Sequence, residues 1–249
     1  MMAVLRGALF LAAAAYLAVM LFMYLQQRSL QYFPSRNGTT PEALGLTGVG
    51  TLLNLDYIVA RATLPAHTAG LFAGVAVLAK ATVIIPQAVA WVLQPRVATL
   101  EHEGHSASRL LGLGVSITIV TVAVTAGLTA LVGRPLVELL FGHKFGDGAV
   151  YLAPVIATTG LTGLLLLMMN HQLARGVDGF AWVVAALGAV EAVLFAVFHR
   201  SVAQLLVVET AVGCAGLVVY ELRYGRSDAG LSRSMRAMLR PAQPRTGAA

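Results

Sequence analysis

The sequence predicts an all-α membrane bundle of about seven helices, and three observations carry that expectation. Hydrophobic residues make up 58% of the 249, charged residues only 11%, and mean hydropathy is +0.79; a soluble domain averages about 25% charged residues. The apolar residues come in long runs, each near the roughly 20 residues needed to cross a bilayer. Six arginines (Arg223, Arg226, Arg233, Arg236, Arg240 and Arg245) follow the last run, and by the positive-inside rule such a cluster stays in the cytoplasm. A multi-pass protein of the cytoplasmic (inner) membrane is therefore expected. The single cysteine, Cys214, lies within an apolar run; it reads as a small buried hydrophobe and excludes a disulfide framework.

The first apolar segment, Gly7 to Leu25, is preceded by Arg6 and followed by Gln26, Gln27 and Arg28. Its length and the absence of a small-residue cleavage site favour an uncleaved anchor over a signal peptide. Pro34, Asn37-Gly38 and Pro41 mark an irregular connection after it. The next segment, Leu44 to Ala60, is short for a span, holds Asn54 and Asp56, and ends at Arg61. An intramembrane aspartate points to function. Asp56 lying near an interface beside Arg61, merely solvated, is the plain alternative.

The run from Ala69 to Leu100 organises the chain. It carries Lys80 inside and Pro86 near its middle, and at about 100° per residue Lys80, Gln87, Trp91 and Gln94 fall in one narrow arc. Pro86 removes a backbone hydrogen bond and predicts a kink. A lysine at the bilayer centre costs about 3 kcal/mol on insertion scales, so Lys80 faces either a wet cavity or a carboxylate on a neighbouring helix. Both stay open at this point.

Glu101 to Arg109 reads as a hydrophilic loop; His102 and His105 within it lack enough further ligands for a metal site. Leu110 to Val132 is a smooth span rich in small and β-branched residues. Arg134 to Gly148 is a connector whose glycines match neither phosphate-loop spacing. Ala149 to Ala174 is the next span, with Thr159, Gly163 and Asn170 on one face. Val177 to Phe198 contains Glu191, and Ser201 to Leu222 contains Glu209. Each glutamate is a possible partner for Lys80 or a group that takes up a proton. Residues 223–249 read as a disordered, arginine-rich cytoplasmic tail attracted to anionic lipid. The tail has no nucleic-acid-binding fold.

Two resemblances emerge from motifs. QRSLQYFP (Gln27 to Pro34), followed by Gly45 to Val49, resembles the membrane-anchored start of a family of bacterial α/β-hydrolases. The nucleophile elbow G-x-S-x-G of such enzymes is absent; Gly104 to Ser108 comes nearest and has serine where the second glycine belongs. From Asn54 onward the chain resembles the C-terminal half of a polysaccharide flippase of the multidrug/oligosaccharidyl-lipid/polysaccharide exporter superfamily, the group that includes O-antigen transporters. The motifs are NLDYIVAR (54–61), AGLFAGVAVLAKA (69–81), PQAVAWVLQPRVA (86–98), LVELLFGHKF (136–145), YLAPV (151–155) and NHQLARG (170–176).

That resemblance divides the chain into a hydrolase-like anchor and linker (1–49), a six-helix flippase-like lobe (50–222) and the tail (223–249). It implies translocation of a lipid-diphosphate-linked saccharide by alternating access, without cofactor, metal or catalysis. By position, Arg61, Lys80, Gln87, Arg96, Asn170 and Arg175 become substrate-binding candidates, and Asp56, Glu191 and Glu209 coupling or pairing groups. The family's first lobe has no counterpart here, so transport calls for a homodimer or a separate N-terminal lobe. A cation-coupled drug exporter lobe, a hydrolase fragment and an inactive fusion are the alternatives. With the tail inside, the 96–109 region and the turn at Arg175 are inside too, as in the family. Counting further back puts Met1 outside if all seven segments cross, opposite to the preference of a hydrolase-type anchor.

Overall fold

The computed structural model describes residues 46–239, and the expected anchor at 7–25, the hydrolase-like motif and Arg240 onward lie outside the described residues. All of the described residues fall in one compact unit, residues 41–249. The elements are helices α1 (Leu46–Thr63), α2 (Ala66–Lys80), α3 (Ile84–His102), α4 (Ser108–Phe141), α5 (Ala149–Ala174), α6 (Gly179–Val197), α7 (Val202–Tyr224) and α8 (Leu231–Leu239). No strand occurs among the described residues.

Five stretches are long and apolar enough to cross a membrane: 66–102, 108–141, 143–174, 179–197 and 202–224. The protein is therefore a membrane protein. Helix α1 is not among the five, since Asn54, Asp56 and Arg61 dilute its apolar character. It nevertheless packs along α6 and α2.

Helix α5 is the axis, touching α1 to α4, α6 and α7. Small residues allow these approaches. Gly163 of α5 faces the Pro86 ring, which a Cβ there would meet at 3.1 Å, Gly160 faces Val122 of α4, and Gly213 and Gly216 of α7 lie against Leu161 and Leu165 of α5. Apolar side chains gain no hydrophobic drive from meeting each other in lipid, so close backbone packing carries the association.

The long run at 69–100 is broken rather than merely kinked. A 3-10 turn, Ala81–Val83, separates α2 from α3, one turn before Pro86. The proline cannot donate to the carbonyl four residues earlier, and its ring crowds that carbonyl, so the disturbance falls upstream. The same rule places the distorted Val132 (φ −123°, ψ 15°) just before Pro135 in α4. The expected connector at 134–148 is helical as far as Phe141. There Gly142, at φ +90°, ends the helix in a conformation that glycine alone adopts readily.

Two further expectations are corrected. Cys214 is exposed on the outer surface of α7, not buried. Part of the segment read as a disordered tail is the helix α8, whose Ser234 is fully buried against α4. Its apolar face was hidden in the sequence by the intervening arginines.

Candidate functional site

Short hairpins alternate the helix ends. Connections 103–107, 175–178 and 225–230 lie at one end, rich in arginine, and 64–65, 142–148 and 198–201 lie at the other. Asp56 stands seven residues from the end of α1, Glu191 six from the end of α6, and Glu209 seven from the start of α7. At 1.5 Å per residue the three carboxylates therefore share a level about 10 Å inside the arginine-poor end. The hydroxyl of Thr63 donates to the carbonyl of His199 at 3.1 Å and fixes the α1 and α6 ends together.

Lys80, at the last position of α2, reaches this level and donates to Asp56 Oδ1 at 2.7 Å. Asp56 is 1% exposed and Lys80 21%. The lysine's partner is thus Asp56, neither Glu191 nor Glu209 as considered from sequence, and Asp56 is not a solvated group beside Arg61, which is exposed. Glu191 is 2% exposed, and both glutamates lie near enough to Asp56 and Lys80 to interact electrostatically. Thr158 of α5 lies beside Glu209 while its hydroxyl donates to the Val155 carbonyl.

One ammonium, bonded to Asp56 alone, thus stands near three carboxylates, leaving two negative charges in excess when all are ionised. Asp56 Oδ2, Glu191 Oε2 and Glu209 Oε2 are buried without a hydrogen-bond partner. A buried charge needs a partner or neutralisation. The cluster balances only when it also holds protons or cations. No group of three or more His, Cys, Asp or Glu side chains placed to hold a metal ion occurs among the described residues.

The remaining candidates are dispersed. Arg96 is exposed at the arginine-rich end of α3. Arg175 Nε donates to Glu101 Oε1 at 2.9 Å, tying the end of α5 to that of α3. Gln87 is half-buried, and Asn170 donates to the Leu166 carbonyl at 2.9 Å. Asn170 and His171 border a small void between α3, α4 and α5, together with Gln94. The polar arc drawn through Lys80, Gln87, Trp91 and Gln94 is interrupted, because the 3-10 turn Ala81–Val83 changes the helix phase between Lys80 and Gln87.

Sequence reasoning missed four participants. Glu101, taken as loop, is the partner of Arg175. Thr158 gave no signal within its apolar run. Gln172 and Tyr220, both buried, form a relay in which Gln172 Nε2 donates to Tyr220 Oη at 2.9 Å and Tyr220 donates to the Ala229 carbonyl at 2.9 Å. No family model, curated protein or solved structure matches the chain.

Proposed function

We propose that this chain is the membrane lobe of a transporter in the cytoplasmic membrane that exports a polysaccharide precursor, moving a lipid-diphosphate-linked saccharide across the bilayer. It works with a second copy or a separate partner lobe, and it is not an enzyme. Protons or cations exchanged at Asp56, Glu191 and Glu209 supply the coupling.

One observation carries this reading: the Asp56–Lys80 pair and two nearby carboxylates, Glu191 and Glu209, lie inside an apolar bundle, with a buried, unpartnered oxygen on each carboxylate. Intramembrane ionisable residues are expensive to insert and mark ion pathways and proton relays. Loading and unloading the cluster changes the charge between the α1–α2 and α6–α7 pairs, which is the differential interaction that a two-state movement requires. The ordered flippase-like motifs supply the substrate class. Arg61 and Arg96, being exposed and without an ion pair among the described residues, remain available to a diphosphate.

The depth of Asp56 also favours a second reading within the same superfamily, a cation-coupled drug exporter. Proteoliposomes containing the purified protein, its oligomeric state fixed beforehand by mass in detergent, distinguish the two. Flipping of a fluorescent lipid-diphosphate saccharide is expected to accelerate under an imposed proton or sodium gradient. The Glu191→Gln/Glu209→Gln variant is expected to fold and to lose that acceleration by roughly tenfold or more, the size of one lost pairwise coupling. Gradient-driven efflux of organic cations without lipid flipping supports the drug exporter. A monomer with neither activity overturns both.

A further inference from the structure

We propose that α8, with the turn before it, forms an interfacial clamp for the headgroups of anionic phospholipids, independently of what the bundle transports. Leu231, Ser234, Met235 and Met238 recur at i, i+3, i+4 and i+7 and make one face. That face lies on α4. Gly112 stands against the Ser234 backbone so closely that a Cβ there would collide with the Ser234 carbonyl, and the Ser116 hydroxyl donates to Met238 Sδ at 3.1 Å. The helix start is also fixed: Leu231 N–H and the Ser232 hydroxyl donate to the two carboxylate oxygens of Glu221, at 2.8 and 2.5 Å.

Docking in this way turns Arg233 and Arg236 outward, on the side away from α4. The Arg233 guanidinium donates to the Arg226 carbonyl, which ties Arg233 to the turn before α8, and Arg226 and Arg109 are exposed, the latter at the start of α4. None of these four arginines is in an ion pair among the described residues, and the nearby Glu221 is occupied by the helix start. Exposed, unpaired arginines at one end of the bundle attract anions, and a phosphate matches the guanidinium fork.

The position selects the bilayer as the source of that phosphate. Gly112 and Ser116 lie one and two turns into α4 from its arginine-rich end, about 6 and 12 Å. This is the zone where headgroups meet acyl chains. Farther along α4, Val120, Val124, Leu128 and Leu131 are exposed, an apolar surface at the depth of lipid tails. The arginines therefore sit where lipid phosphates sit.

The test titrates the full-length protein in neutral detergent with phosphatidylglycerol or phosphatidylcholine, following bound lipid by native mass spectrometry and the thermal midpoint. Phosphatidylglycerol is expected to bind preferentially and raise the midpoint. Each of Arg226→Gln, Arg233→Gln and Arg236→Gln is expected to weaken its binding roughly fivefold, from about one arginine–surface contact each. Gly112→Leu, which displaces α8 while keeping every arginine, is expected to reduce the preference as well. Equal binding of the two lipids, an unchanged preference in the arginine variants, or the same stabilisation by inorganic phosphate alone overturns the proposal.

Discussion

At the arginine-rich end of the bundle, Arg175 meets Glu101 at 2.9 Å, Glu221 is held by two donors from α8, and Gln172, Tyr220 and the Ala229 carbonyl form a continuous relay. About 10 Å inside the other end, Asp56, Glu191 and Glu209 share the single cation of Lys80. Both regions are polar, yet the carboxylates of the first, Glu101 and Glu221, each have their own donors, while those of the second are short of cations. The difference separates polarity that fixes structure from polarity that awaits a ligand. Matched groups hold α3, α5, α7 and α8 in one arrangement. An unmatched cluster changes its energy with each proton or cation bound, so the movable step belongs there.

Three substitutions sharpen or break this contrast. Lys80→Ala has the largest expected effect, since it strands Asp56 beside two glutamates; about 3–5 kcal/mol of stability is lost, read as a fall in the unfolding midpoint in detergent. Adding Asp56→Asn is expected to restore most of the loss. No change in the single variant would mean that the cluster is already neutral without its lysine, and the contrast would collapse. Tyr220→Phe comes next: it leaves the buried Ala229 carbonyl without its donor and costs about 1–3 kcal/mol, with α8 becoming more susceptible to proteolysis while transport persists. Arg175→Gln has the smallest expected effect, about 1 kcal/mol, because the pair is partly open to solvent, with Arg175 20% and Glu101 29% exposed. If Arg175→Gln abolished transport at unchanged stability, the Arg175–Glu101 pair would act in transport rather than in fixing structure, and the division drawn above would fail.

Much of the fold was legible because hydropathy is a local property. The span expected at 149–174 is α5 with the same limits, and those expected at 177–198 and 201–222 differ from α6 and α7 by two residues or fewer at each end. Where the sequence misled, the cause was either the exact place of a break or a non-local contact. The 3-10 turn at Ala81–Val83 shifted the face on which Gln87 and Gln94 emerge. Helix α8 is only nine residues long, too short to persist alone in water; it is helical because Gly112 and Ser116 offer α4 as a seat and Glu221 caps its start. Neither contact is visible in LSRSMRAML itself.

The amino-acid sequence by itself determined that this is a membrane protein, where its apolar helices run, and that Asp56, Lys80, Glu191 and Glu209 stand within or beside them. Those conclusions follow from length and hydrophobicity, which lipid enforces on each segment separately. Only the tertiary structure decided that Lys80 meets Asp56, 24 residues away, and that both glutamates gather at the same level while Arg175 turns to Glu101. Pairing of charges depends on how helices cross and on the phase at each turn, and close packing of small residues around α5 sets both.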